Sequence, residues 1–232
     1  MVCGRKTLTM SKKAIIEELM VDEWQVEDYA PSYNIAPTQN SLVLVQEKGS
    51  KIVRSMKWGL IPAWSKSELY GSKMINARME TVTTKPSFKN LILKYRCIVL
   101  SDGYYEWKQS GGKKVPFFIQ KKDGALMLFA GLWTTWSMSS KKVFTYTIIT
   151  TKAQESISAI HDRMPVLFDK SKAELWINLE NKFSEVEQEL TDTKEALNFH
   201  QVSDFVNKPD NNSVACISPF KARTNLNLFD DN

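Results

Sequence analysis

Residues 96–151 read RCIVLSDGYYEWKQSGGKKVPFFIQKKDGALMLFAGLWTTWSMSSKKVFTYTIITT. The runs CIVL, PFFIQ, ALMLFAGLW and KVFTYTIITT are short, rich in β-branched and aromatic residues, and bounded by Gly, Asp, Ser and Lys, a pattern that reads as strands. Lys122-Asp123-Gly124, between PFFIQ and ALMLFAGLW, predicts a hairpin joining those two strands. If YYEW alternates as a strand, Glu106 shares a face with Tyr104. Outward from this stretch, SLVLVQ and KIVRSMKW flank Lys48-Gly49-Ser50 and predict another hairpin. SKKAIIEELM, with Ser11 as N-cap and Ile15, Ile16, Leu19 and Met20 at helical spacing, predicts a first helix. Pro31 and Pro37 bracket an extended loop. SFKNLILKYR behind Pro86, KAQESISAI and SKAELWINL read as helices, residues 183–197 as an acidic helix or loop, and SVACISP as one late strand. Strands dominate, so the expected fold is α+β, a mostly antiparallel sheet forming a distorted barrel-like core with short peripheral helices. No repeat or flexible linker divides the chain, and residues 1–232 are expected to form a single domain with an acidic C-terminal region from about residue 181.

The composition, 43% hydrophobic and 25% charged over 232 residues, excludes disordered and fibrous classes. No run approaches the roughly 18 apolar residues of a membrane span, and MVCGRKTLTMSKK lacks the apolar region of a secretory signal. A cytoplasmic protein is expected, with no membrane partner. The cysteines Cys3, Cys97 and Cys216 have no zinc spacing and cannot all pair, so neither a metal nor another cofactor is expected.

The net charge of +5 conceals an asymmetry: residues 48–114 hold 14 basic and 4 acidic residues, whereas residues 174–195 hold 7 acidic and 2 basic ones. Trp58, Trp64, Tyr70, Phe88, Tyr95, Tyr104, Tyr105 and Trp107 are interleaved with the basic block. Cations that track phosphates, together with flat side chains on which unpaired bases stack, are the footprint of single-strand nucleic-acid binding. Most of these aromatics are expected in the core. Trp58 and Trp64, on either side of the turn in WGLIPAW, are the two expected to face a ligand.

Two histidines limit the acid–base candidates. His161 lies in AIHDRMPV, where Asp162, Arg163 and Pro165 crowd a turn; His200 reads as an ordinary surface or core residue. Glu106 among aromatic neighbours would have its charged form disfavoured by desolvation, unless it sits exposed on an edge strand. Asn76, Arg78 and Glu80 alternate in MINARMETV, which puts a donor–acceptor amide and a phosphate-shaped fork on one extended face. Cys97 and Cys216 lie in apolar runs and read as core, which leaves Cys3 as the one accessible thiol and candidate nucleophile.

These segments together resemble the SOS response-associated peptidase (SRAP) family of abasic-site processing proteins. The resemblance rests on CGR (3–5), YNIAPTQ (33–39), WGLIPAW (58–64), INARMET (75–81), RCIVLSDGYYEWK (96–108), FAGLW (129–133), IITTKA (148–153) and IHDRMPV (160–166), in the family's order. It implies one compact α+β domain, a monomer, with a basic cleft for single-stranded DNA, nucleoid-associated when bound. It also implies an N-terminal cysteine that captures an abasic site as a thiazolidine and shields the lesion, with lyase and N-terminal autoprotease activities alongside. By matching positions, Cys3 is the nucleophile, Asn76 positions its amine, and Glu106 and His161 move protons. Arg5, Arg78 and Arg163 hold phosphates, and Trp58 and Trp64 meet bases. The chain departs from the family in one place that matters. Val2 stands between Met1 and Cys3, where the family has cysteine directly after the initiator; a start-site artefact is the favoured explanation, ahead of removal of Met1-Val2 or a crosslink-defective chain. Leu100-Ser101 also replaces a common proline. Two other functions fit the residues: a cysteine peptidase acting in trans through Cys3, His161 and Glu106, and a non-catalytic single-strand binder.

Overall fold

The computed structural model describes residues 3–187 and 195–221. The strands are β1 (Lys6–Leu8), β2 (Glu23–Gln25), β3 (Ser32–Ile35), β4 (Asn40–Glu47), β5 (Ser50–Trp58), β6 (Asn76–Arg78) and β7 (Arg96–Ser101). They continue with β8 (Gly103–Ser110), β9 (Lys113–Lys121), β10 (Met127–Met138), β11 (Lys141–Lys152), β12 (Arg163–Pro165), β13 (Leu167–Phe168) and β14 (Leu197–Gln201). Among the described residues, five short α-helices lie between them: α1 (Lys12–Leu19), α2 (Leu91–Lys94), α3 (Glu155–Ser158), α4 (Lys170–Ile177) and α5 (Phe183–Val186).

The strands β5, β4, β7, β10 and β11 pair in that order, and β11 returns to β5 to close a ring. Closure uses two parallel rungs, Thr145 opposite Lys57 and Tyr146 opposite Trp58. The Trp58 and Tyr146 rings stack 6.3 Å apart and 8° from parallel, while Gly59 N–H donates to the Tyr146 carbonyl at 2.9 Å. All other pairings in the ring are antiparallel. A second, five-stranded sheet runs β14-β9-β8-β1-β3. Its Tyr104 and Ile119 share one apolar core with the ring, with Tyr104 edge-on to Phe129 at 6.0 Å. The expected α+β architecture with a barrel-like core is therefore what the chain forms.

Local expectations hold where the signal is local. Lys48 and Gly49 take positive φ (50° and 85°) between β4 and β5, the backbone that a two-residue hairpin turn requires. Ser11 caps α1 by accepting from Ala14 N–H, and Ile15 and Leu19 are buried. The readings that fail are those that assumed a partner. PFFIQ does not pair with ALMLFAGLW: β9 joins β8 and β14, and β10 joins β7, β11 and β13. Residues 127–134 of β10 are buried without interruption, so β10 needs cover on both faces, which the ring supplies. Residues 122–126 are thus a crossing between sheets, and the neighbouring hairpin turn is Gly111-Gly112, at φ 56° and 77°. SVACISP forms a 3-10 turn over Val214–Cys216, and the late strand is β14. The expected helix SFKNLILKYR contracts to α2. Of the acidic segment, α5 is helical, and residues 188–194 lie outside the described residues. Among the described residues no helix is long and apolar enough to cross a membrane.

Gly59 follows the ring closure at φ +122°, and a Cβ there would lie 2.5 Å from the Gly71 carbonyl oxygen. Gly124 also has positive φ (+70°) but nothing within 4 Å of such a Cβ. Gly59→Ala is therefore expected to destabilise by about 2 kcal/mol more than Gly124→Ala, the added cost of backbone overpacking. Urea unfolding midpoints measure this, and equal losses at the two positions would refute the contact.

Candidate active site

The site begins with the pairing of β1 and β8, Lys6 opposite Tyr104 and Thr7 opposite Gly103. Tyr105 N–H donates to the Arg5 carbonyl at 3.0 Å, so the chain ahead of β1 keeps running beside β8. It delivers Cys3 to Glu106, where the Cys3 backbone N–H donates to Glu106 Oε1 at 2.6 Å. Cys3 sits at φ 40°, an uncommon backbone for a side chain other than glycine.

Glu106 and Tyr104 do share a buried face, and Glu106, 1% exposed, is not a surface residue of an edge strand. Burial pushes its carboxyl up to about 7; the Cys3 N–H bond opposes this, and Asp162 adds to it. A carboxyl poised there can donate or accept a proton near neutrality. The expectation that Cys3 is the accessible thiol is corrected: Cys3 is as fully buried as Cys97 and Cys216. Burial pushes its thiol well above the usual range, Glu106 pushes the same way, and Lys6 pulls it down. Chain position near a terminus misled here, because β1 is an interior strand of its sheet.

β11 assembles the remaining residues. Beyond Ile148 it loses β10 and is flanked by β6 on one edge and β12 on the other, so that Thr150 faces both Arg78 and Pro165. Asn76 is half-buried and Arg78 exposed. Glu80 leaves the strand for a 3-10 turn, so the expected three-residue extended face is cut to two. Arg163 grips both Glu80 oxygens at 2.9 Å and the Thr150 carbonyl at 2.7 Å, and this pairing holds the Glu80 carboxyl below its usual range. His161 Nδ1 accepts from Arg163 N–H at 3.1 Å. Burial lowers the His161 pKa and outweighs Asp162, whose Oδ1 lies 2.9 Å from Nδ1, which keeps the ring neutral at neutral pH. Asp162, next to His161, is also among the charges that push the Glu106 carboxyl up.

Two expected DNA contacts need correction. Trp58 is fully buried, stacked on Tyr146 and donating to the Ile75 carbonyl at 3.0 Å; ring closure consumes it. Arg5 spends three hydrogen bonds on Asn34 Oδ1 and the Val206 and Asn207 carbonyls, tying residues 206–207 to β1 and β3. Trp64 is 60% exposed and meets Tyr70 edge-on at 5.3 Å, so the exposed aromatic pair is Trp64 with Tyr70. The basic block is also less uniform than its count. Arg96 is buried in a cage of the Ile92, Trp176, Asn178 and Asn181 carbonyls. Lys51 and Lys57 pair with Glu174 and Glu68. Lys66, Lys73, Lys85 and Lys89 are exposed. Sequence reasoning missed Lys6, whose KTL strand looks like ordinary surface, and Asn34, the partner of Arg5; neither carries a local signal.

A closed ring, a flanking sheet and a buried cysteine–glutamate contact are thus built from the motif segments, and the family model for the SOS response associated peptidase (SRAP) matches residues 2–209. The chain belongs to that family. It is 42% identical over 221 residues to the abasic site processing protein YoqW of Bacillus subtilis (strain 168), covering 93% of this chain and 99% of that one. It is 35% identical to the abasic site processing protein HMCES of Gallus gallus, covering 86% of this chain and 69% of that one. A crystal structure of a protein from Bacteroides thetaiotaomicron superposes with a TM-score of 0.84 at 26% identity, over 94% of this chain and all of that one.

The raised Glu106 carboxyl gives a stability signature. The folded state holds its proton up to about pH 7, while the unfolded chain releases it near pH 4.3. Stability from this group is therefore present below about pH 4.3 and lost as pH rises through 7. Relative to Glu106→Gln, the wild type should lose about 3 kcal/mol between those limits. Urea unfolding of both proteins at the two ends measures it, and a pH-independent difference would overturn the assignment.

Proposed function

We propose that the protein processes abasic sites in single-stranded DNA by covalent capture through Cys3. The observation that carries this reading is the 2.6 Å approach of the Cys3 nitrogen to the buried Glu106 carboxyl. An opened abasic deoxyribose presents an aldehyde. When Cys3 is the first residue, its nitrogen is an α-amine with a pKa of about 7.7–8.0, substantially deprotonated in the cell. The amine adds to the aldehyde carbon, the hemiaminal oxygen leaves as water with a proton from Glu106, and an imine remains. The Cys3 sulfur then adds to the imine carbon, the nitrogen regains a proton, and a five-membered thiazolidine closes. Ring closure is intramolecular, which favours it strongly over attack by a separate thiol. Neutral His161 exchanges protons with the sugar oxygen, and Asn76 orients the amine. Arg78 and Arg163 serve the flanking phosphates, although Arg163 must share its fork with Glu80 and the Thr150 carbonyl. Trp64 and Tyr70 offer stacking faces. Release of the residues ahead of Cys3 by self-processing exposes the amine, which fits the peptidase in the family's name.

The test is a denaturing gel with abasic and undamaged single-stranded DNA, comparing the full chain with one that starts at Cys3. A heat-stable adduct is expected from the Cys3-first chain and abasic DNA only. Its absence refutes the proposal, and salt-sensitive binding indifferent to the lesion and to Cys3→Ala would indicate a simple binder instead. Glu106→Gln should slow adduct formation by about 10²- to 10³-fold, the usual scale of a lost acid–base group.

A further inference from the structure

Residues 48–79 hold seven basic residues and a single acidic one, Glu68. That acid is bound by two lysines from different strands. Glu68 Oε1 accepts from Lys57 Nζ of β5 at 2.6 Å, and Glu68 Oε2 accepts from Lys141 Nζ of β11 at 2.6 Å. Each carboxylate oxygen therefore carries its own ammonium group. The two bonds hold the Glu68 carboxyl down at about 2, so it stays ionised across the physiological pH range. All three side chains still reach water, at 24%, 30% and 58% exposure for Lys57, Glu68 and Lys141. Glu68 opens the 3-10 turn Glu68–Lys73, and it lies in sequence between Trp64 and Tyr70, the exposed aromatic pair.

The excursion of residues 59–74 from the ring is fastened without this cluster. Leu60 N–H donates to the Met74 carbonyl at 3.1 Å and closes its base. Ile61 N–H donates to Thr145 Oγ1 at 3.0 Å, and Trp136 Nε1 donates to the Ser65 carbonyl at 2.8 Å. Gly59 and Gly71 add a close backbone approach. Ion pairs in contact with water contribute little to stability, so stability does not account for placing the one acid of a basic stretch across two of its cations. A carboxylate with one oxygen on each of two ammonium groups does what a phosphate does when it bridges two lysines. We propose that Glu68 is an internal stand-in for a DNA phosphate: it occupies Lys57 and Lys141 in the free protein, and a DNA strand stacked on Trp64 and Tyr70 takes both lysines from it. Glu68 is thus a positioning residue that acts through the two lysines. Because a strand must displace it, undamaged DNA is held weakly and released, and lasting retention is left to the covalent step at a lesion.

This inference rests on the single-stranded DNA reading above, and its test uses undamaged oligothymidylate so that no covalent step enters. Fluorescence anisotropy titrations of the full chain at several potassium chloride concentrations give the affinity and the slope of log K against log salt. Glu68→Gln keeps the shape and removes the charge. It should bind about tenfold tighter near 0.1 M salt, with a slope steeper by up to about 1.4, or about 0.7 for each lysine returned to a phosphate. In a Lys141→Met background that change of slope should fall by about half. Glu17→Gln removes an equal charge from α1, where Glu17 pairs with Lys13, and should leave the slope unchanged. Weaker binding, an unchanged slope or failure to fold in Glu68→Gln would make the carboxylate a strut of the excursion and overturn the proposal. An equal gain in Glu17→Gln would overturn it as an effect of net charge. If neither the wild type nor Glu68→Gln binds the oligonucleotide, the DNA reading itself falls, and the role of Glu68 with it.

Discussion

The two parallel rungs between β5 and β11 set the frame on which everything else is placed. They turn an open sheet into a ring, and a ring has no free edge to satisfy elsewhere. Trp58 and Tyr146 fill the closure with stacked rings, and Gly59 lets the chain turn away immediately afterwards against Gly71. Because β11 is twelve residues long and its closure occupies only Thr145 and Tyr146, its far end projects past β10. β6 and β12 dock on that projecting end. Asn76, Arg78, His161 and Arg163 reach one neighbourhood by this route, although up to 87 positions separate them in the sequence.

Desolvation sets the protonation of the buried groups around Cys3 and Glu106. The same burial raises the Glu106 carboxyl and the Cys3 thiol and lowers the Lys6 amine and His161. All four shifts disfavour charge. The groups are therefore held near neutral forms, and a proton moved from one to another creates charges only in pairs. Such a site is selective, since an isolated charge in it is expensive and a charge compensated by a neighbour is not.

The long-range charge pattern is shaped by the fold as well. Arg96, counted in the basic block, neutralises inward-facing carbonyls after α4. Glu174 in the acidic segment returns to Lys51. The exposed cations of the block include Lys66 and Lys73, which lie on the same excursion from the ring as Trp64 and Tyr70. Trp136 pins that excursion through the Ser65 carbonyl at 2.8 Å.

The sequence by itself determined whatever depends on neighbours along the chain: the strand runs, the Lys48-Gly49 hairpin, the Ser11 cap, the shared face of Tyr104 and Glu106, and the ordered motifs of the family. Alternation and turn backbones are local properties, so they are written locally. Tertiary structure decided which strand each strand pairs with, and hence the buried fate of Trp58, Cys3 and Lys6. A strand apolar on both faces, such as β10, specifies that it must be covered but not by what. The meeting of Cys3 with Glu106, 103 residues apart, arises only when β1 is laid beside β8, and desolvation of both follows from that packing.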